Sequence, residues 1–476
     1  MGGENKTHIV DSVVSSQPLK AGRIFGMANA NETTRILRRL LASSMIARAE
    51  RLLAHVHPAD LGPVISGLTP PEVRTVIELL FRQRRAAQML KELPPELLPE
   101  IFESVGDTLL AQVLARLELD DMVELVEWLP DDRHEAVIKQ LPTNLQSALR
   151  KAELYPAESA GRVMTTSFIA LNESMSAEEA IERIRKAGDD EEAVFYLYVT
   201  NEKDQLRGVV PIRRLVAASP ERSCGALMVE DPVCVAVEAD QEEVARLVSR
   251  YNLLAIPVVD SERRMLGVIT VDDVIEVIHE EATEDMYLLA GLSDADRVFS
   301  PAQQKIRKRL PWMLLNLGAT FLAAWVVGLF ERTLEQIVAL AFFMPVVGGM
   351  GGNGGIQALT VITRGIALGE IEFSTGFRAM SKELGVACVI GLVTGAVSGF
   401  IAYLWQGNPF LGLVLFATML ATMVVAGILG AAVPLALKAI NQDPAVGSGV
   451  LVTTLTDIFG FFCFLGVGTM LLDKLL

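Results

Sequence analysis

The sequence predicts a multidomain chain: an all-α superhelical N-terminal domain, a tandem α/β repeat, an acidic connecting helix and a five-span α-helical membrane domain. Three observations predict it. Leucines at three- and four-residue spacing, punctuated by prolines, run over residues 35–157. A strand, turn, strand and helix pattern occurs twice over residues 158–281. After Leu310 come five apolar segments long enough to cross a bilayer.

Charge divides the chain the same way. Its 476 residues carry a formal net charge of −16. From Leu310 onward there are 8 acidic and 6 basic residues, which leaves a net charge near −14 on the first 309. An acidic soluble part argues against a nucleic-acid partner, because phosphates demand basic surface, and points to cations. The 4 cysteines form no CxxC pair and the 5 histidines no HExxH, which argues against a zinc-type or disulfide-based site. No Ser, His or Cys constellation and no phosphate-binding loop suggests an enzyme or an ATP-driven pump. Residues 1–34 lack the apolar core of a signal peptide and read as a flexible polar tail.

In the helical domain, 35–157, breaks recur at LTPPE (68–72), LPPE (93–96), LPDD (129–132) and LPTN (141–144). Proline suits a first helical turn and a carboxylate there meets the positive dipole end, so each break predicts a helix start in a stacked superhelix. The next region repeats itself. AVFYLYVTNEKDQLRGVVPIRRLV (193–216) aligns with LAIPVVDSERRMLGVITVDDVI (254–275), each preceded by a helix, SAEEAIERIRKA (176–187) or DQEEVARLVSRYN (240–252). The repeats are expected over 158–223 and 224–281.

VDDVIEVIHEEATEDMYLLAGL (271–292) then predicts a helix dense in carboxylates, several of them on one face, which solvent or bridging cations must compensate. The connecting helix is expected over 282–309 and the pore domain over 310–476. Spans are expected near 311–330, 335–362, 384–405, 410–436 and 445–472. Basic residues, KIRKR (305–309), then Arg364, Arg378 and Lys382, then Lys438, fall on alternate loops. The positive-inside rule therefore puts the N-terminal domains in the cytoplasm and the C-terminus outside.

Two features inside the spans predict an ion path. Met344–Glu370 reads MPVVGGMGGNGGIQALTVITRGIALGE, with Gly352 and Gly354 at a glycine-rich centre beside polar Asn353, Gln357 and Thr360. At membrane depth such a pattern survives where protein buries it or where it lines water, so we expect pore lining, with the glycines letting neighbouring helices approach closely. The last span holds one mid-segment acid, Asp457, with Thr453, Thr454 and Thr456 beside it and no intramembrane Lys or Arg to pair with. An ionised carboxylate there costs several kcal/mol unless hydrated or paired, which marks a functional site. Hard oxygen ligands with retained waters suit Mg²⁺, and a helix distortion near Gly449 would add backbone carbonyls.

The duplicated region resembles a tandem pair of CBS domains. That likeness implies an adenine nucleotide site, with Thr270 and Asp273 of the GVITVDD ending holding the ribose of a ligand such as ATP; the first repeat has Pro211 and Arg214 instead. GMGGNGGIQALT, EEATEDM, and DPAVGSG followed by TTLTD extend the likeness over nearly the whole chain after residue 35: it resembles the MgtE family of magnesium channels. The resemblance implies a homodimer in the cell membrane with one central pore, taking up Mg²⁺ and closing when cytosolic Mg²⁺ is high. It implies Asp457 and Thr453 as pore ligands and Asn353 on the pore wall. Asp240, Glu242, Asp273, Glu276, Glu281, Glu284 and Asp285 would bind regulatory Mg²⁺ opposite Asp120 and Glu124 of the helical domain. Asn252 stands where some members carry a sensor acid, and Val450 where a proline is common. A channel for another divalent cation, Co²⁺ or Ca²⁺, and a CBS-regulated membrane sensor that transports nothing are the alternatives.

Overall fold

The structure is a computed structural model that describes residues 27–81, 86–93, 95–187, 196–292, 302–371, 373–440 and 442–475. It falls into two units, residues up to 157 with 164–167, and 158–163 with everything from 168 onward.

The first unit is all helical, from Met27–Ala42 to Thr143–Ala152, around a core that includes Leu37, Leu53, Ile77, Phe102, Met122, Val137 and Leu149. Prolines stand where the sequence puts helix starts. Pro70 opens Pro70–Phe81, and Pro130 and Pro142 cap Asp131–Ile138 and Thr143–Ala152. Ahead of Pro70, the Thr69 N–H and hydroxyl both donate to Glu72, each at 2.8 Å, as in a capping box. The expected tail, 1–34, is too long. Its residues 27–34 are helical, and the nearly buried Thr34 hydroxyl donates to the Val64 carbonyl at 3.1 Å, tying this turn to the core. The rest of the tail lies outside the described residues.

In the second unit the duplication is explicit in the strand register. β1 (Ala170–Asn172), β2 (Tyr196–Thr200), β3 (Leu206–Pro211) and β4 (Val229–Glu230) form one sheet in that order; β5 (Val235–Ala236), β6 (Ala255–Val259) and β7 (Met265–Thr270) form the other. In both, the first pair is parallel and the next antiparallel, and the bulge falls at equivalent places, Val199/Thr200 and Val258/Val259. The two sheets meet along Tyr198, Leu206, Val259, Met265 and Val268. Their hairpins clasp reciprocally: the Leu206 N–H donates to Arg263 O at 2.9 Å and the Met265 N–H to Asp204 O at 3.0 Å. This is the tandem CBS arrangement. Residues 193–195 of the expected strand lie outside the described residues.

The acidic helix is Val271–Leu289, continuous across the expected boundary at 281/282. It starts directly from β7 and ends at Ala290, so the expected 282–309 connector is not one helix. Residues 305–309 belong instead to the first membrane helix, and 293–301 lie outside the described residues. Among the described residues, five helices are long and apolar enough to cross a bilayer: Ala302–Gly328, Ala339–Ala367, Phe373–Gln406, Pro409–Ala439 and Ser448–Met470. The third begins at Phe373 rather than near 384 and carries Arg378, Lys382 and Glu383 in its early turns. Hydropathy marks the apolar stretch, whereas helical hydrogen bonding runs on past it.

Glycines set the helix spacing in this domain. A Cβ on Gly430 of the fourth helix would lie 2.5 Å from the Gly355 carbonyl oxygen of the second, and one on Gly399 of the third 2.6 Å from Gly412 O of the fourth. Backbone cannot give way there as a side chain can, so Gly430→Ala is expected to cost about 1–3 kcal/mol of overpacking and to lower the melting temperature. Gly385→Ala, with nothing within 4 Å of the added carbon, should leave it unchanged. Thermal unfolding in detergent, read for both, checks the pair.

Candidate functional site

Asp457 lies halfway along the fifth membrane helix, half-buried. Its Oδ1 is 3.3 Å from where a Cβ on Gly348 of the second helix would be, so a glycine gives the carboxylate its room. It lines a cavity of about 420 Å³ with Thr453, Thr454 and Phe461 of its own helix, Met344 of the second, and Asn316 and Thr320 of the first. None of the lining residues is basic. The cavity offers oxygen and amide groups to a cation and no positive charge to repel it. Asn316 and Thr320 escaped the sequence reading because hydropathy averages two polar residues into an apolar span; their four-residue spacing was the available signal.

The hydroxyls of this helix are turned inward. Thr453 donates to Gly449 O at 2.9 Å, Thr454 to Val450 O at 2.7 Å, and Thr456 to Thr453 O at 2.9 Å. The expected distortion near Gly449 is absent: the helix runs unbroken from Ser448, entered through Gly447 at φ +64°, with Val450 in its first turn. What Gly449 permits is a close approach, since a Cβ there would lie 2.5 Å from Leu289 O at the end of the acidic helix.

On the second membrane helix, Asn353, Gln357 and Thr360 stand on one exposed face, while Gly351, Gly355 and Ala358 are buried on the other. The glycines named as pore lining face the chain's own helices. A Cβ on Gly352 would lie 3.6 Å from the Thr453 side chain, and one on Gly354 2.6 Å from Met423 Cε. Close packing within one protomer therefore accounts for Gly354, and a leucine there strikes the fourth helix before it alters any path.

The acidic helix carries two carboxylate stripes rather than one. Asp273, Glu276, Glu280 and Glu284 recur at steps of three or four on one side, and Glu281 and Asp285 lie on another. The second stripe meets the start of the Gln241–Tyr251 helix and the C-terminal ends of the second and fourth membrane helices. There Asp240 caps its helix by accepting the Glu242 N–H at 2.8 Å, and Gln241 Nε2 donates to Glu281 at 2.7 Å. A cavity of about 250 Å³ is lined by Asp240, Glu242, Arg246, Asp285, Lys438 and Asp443. Burial, then repulsion from Glu281, Asp240 and Asp285, pushes Glu242 up to about 7, against a pull from Arg246. Burial chiefly raises Glu281 as well; burial and then Asp443 raise Asp285, which Arg364 opposes.

Four expected sensor acids, Asp240, Glu242, Glu281 and Asp285, thus come together, joined by Asp443, which the sequence reading passed over inside DPAVGSG. Asp273, Glu276 and Glu284 do not line this cavity. Asp273 accepts the Thr270 hydroxyl at 2.5 Å and its N–H at 3.3 Å, so the two residues expected at a ribose bond each other. Asn252 ends the Gln241–Tyr251 helix in the left-handed region, φ +50°, a conformation asparagine tolerates better than most residues. Asp120 and Glu124 belong to the helical unit, where Asp120 Oδ1 is buried and Glu124 is exposed. Among the described residues, no three His, Cys, Asp or Glu side chains are placed to hold a metal ion directly. The acidic cluster so arranged suits a cation that keeps water between itself and most of the carboxylates, as Mg²⁺ does.

Comparison with known proteins identifies each part. Residues 344–467 match the MgtE family, described as a divalent cation transporter; 56–158 match the MgtE intracellular N domain; 160–221 and 224–280 match the CBS domain. The magnesium transporter MgtE of Bacillus subtilis is 32% identical over 443 residues, covering 90% of this chain and 98% of that protein. That of Thermus thermophilus is 33% identical over 429 residues, covering 89% and 94%. Among solved structures, the cytosolic domain of the Mg²⁺ channel MgtE in complex with ATP is 31% identical with a TM-score of 0.49, covering 51% of this chain and 99% of that one.

Proposed function

Because the chain belongs to the MgtE family of magnesium transporters and is a multi-pass membrane protein, we propose that it is a Mg²⁺ channel of the plasma membrane. In this reading it works as a homodimer, with the N-terminal domains in the cytoplasm and the C-terminus outside. The observation that carries the reading is Asp457: a mid-membrane carboxylate on a cavity of oxygen and amide groups with no basic residue on its wall. A charge in that position is retained at a cost that function offsets. Flux is passive, driven by gradient and membrane potential. The exposed polar face of Asn353, Gln357 and Thr360 would line the path against a second copy, since a polar face left in hydrocarbon is unfavourable.

Regulation is by charge. The cluster of Asp240, Glu242, Glu281, Asp285 and Asp443 joins the CBS pair to the membrane helices, and mutual repulsion strains it when no cation is bound. Cytosolic Mg²⁺ bridging these acids holds the acidic helix against Gly449 at the fifth helix and closes the pore; loss of Mg²⁺ releases it. Such a ligand shifts the equilibrium only by its preference for the closed state. An adenine nucleotide such as ATP is the second regulator we expect, at Thr270 and Asp273 of the CBS pair.

Purified protein in liposomes loaded with a Mg²⁺-sensitive dye tests transport. An inside-negative potential should drive saturable Mg²⁺ entry that external Co²⁺ or Ca²⁺ competes for weakly. No entry above empty liposomes would leave the chain a sensor without transport, and preferred entry of Co²⁺ or Ca²⁺ would reassign the cargo.

A further inference from the structure

The first membrane helix supplies a wall of the Asp457 cavity, and we propose that Asn316 on that helix is a positioning residue for the permeant ion. It would accept hydrogen bonds from the water shell of a hydrated divalent cation held at Asp457. This rests on the reading of Asp457 as an ion site. Over residues 311–328 the helix reads PWMLLNLGATFLAAWVVG, in which Asn316 and Thr320 are the only amide and hydroxyl side chains. They lie one turn apart and both line the cavity, beside the small side chains of Ala319, Ala323 and Ala324. Elsewhere the same helix turns Leu314, Leu317, Phe321 and Trp325 outward. Its amide, its hydroxyl and three of its alanines are thus gathered on the one stripe that lines the carboxylate's cavity.

Thr320 is already satisfied, its hydroxyl donating to the Asn316 backbone carbonyl at 2.9 Å. The Asn316 side-chain amide has no hydrogen-bond partner among the described residues. An amide without a partner at membrane depth is unfavourable, whereas in a hydrated cavity it is not. The cavity is large enough: six waters occupy roughly 180 Å³ at about 30 Å³ each, against about 420 Å³ available. Mg²⁺ dehydrates reluctantly and keeps several waters. Recognition at such a site therefore runs through outer-shell contacts, in which a carboxylate and an amide oxygen both accept from metal-bound water.

Hexaamminecobalt(III) is the probe, because its six ligands do not exchange and can only donate hydrogen bonds outward. In liposomes carrying the full chain, Asn316→Leu should raise the concentration for half-block of Mg²⁺ entry about tenfold, the loss of one hydrogen bond to a charged shell. Asn316→Asp, which adds a carboxylate to the same wall, should lower it. Unchanged block in a monodisperse Asn316→Leu protein overturns the assignment, as does a weaker or unaltered block in Asn316→Asp; the aspartate variant decides alone if the leucine variant does not fold. Binding of the same probe to purified Asp457→Asn is titrated by calorimetry alongside wild type, because its flux is too low to show block. If that variant binds with unchanged affinity, the reading of Asp457 has failed; if it alone loses binding, only the role given to Asn316 has.

Discussion

Asp457→Asn should reduce Mg²⁺ entry into liposomes at least a hundredfold while leaving the protein folded. Asparagine has the same shape and removes only the charge. In the cavity no basic side chain and no second acid is present to take over the attraction of a divalent ion. The carboxylate otherwise costs several kcal/mol to keep at membrane depth, so its removal should leave the melting temperature equal or higher. That combination, flux lost and stability kept or gained, separates an ion ligand from a structural acid, whose loss lowers both. Asp457→Glu keeps the charge and should retain part of the flux. Entry above a tenth of wild type in Asp457→Asn would remove this residue from the path.

Neutralising the acidic cluster at Glu242 and Asp285 should have the opposite effect on activity. With Glu242→Gln and Asp285→Asn combined, the cation loses two of the five acids it bridges, and its binding no longer favours the closed state as strongly. In patch recordings, current should persist at internal Mg²⁺ concentrations that close the wild type, with the half-inhibitory concentration raised tenfold or more; full closure at the wild-type concentration would refute the sensing role. The same site sets a pH dependence. Glu242 is raised from an ordinary 4.5 to about 7, so it is largely protonated at pH 6 and ionised at pH 8. Protons compete with Mg²⁺, and closure should need more Mg²⁺ at pH 6 than at pH 8, an effect the double variant lacks. For folding without divalent cation the sign follows too. An acid raised in the folded state contributes stability that is present below its unfolded value and lost as pH rises through about 7, and Mg²⁺ should restore that loss.

Much of this is legible in the sequence alone. Leucine spacing and proline breaks mark short stacked helices, since both act within a few residues. The duplicated strands are found because each carries its own apolar run and turn. Asp457 stands out as the single acid of its span. The acidic helix is legible as a helix, but which of its carboxylates meets a partner depends on the neighbouring helices. That difference matters: Glu281 and Asp285 reach the cluster, whereas Asp273 bonds Thr270 at the helix start.

The sequence by itself determined the order of parts, the number of spans, the repeat and the chemical types at the Asp457 cavity and the acidic cluster, because hydropathy, helical period and capping are local properties. Only the tertiary structure decided which faces meet. Gly354 packs on Met423 of the same chain, Gly449 admits Leu289 O, Asp443 joins acids far earlier in the chain, and Asn316 shares a cavity with Asp457. Each of those pairings depends on how helices remote in sequence rotate and pack against one another. A glycine or an asparagine in an apolar run reads the same whether it meets a neighbouring helix or an ion, until the neighbour is in place.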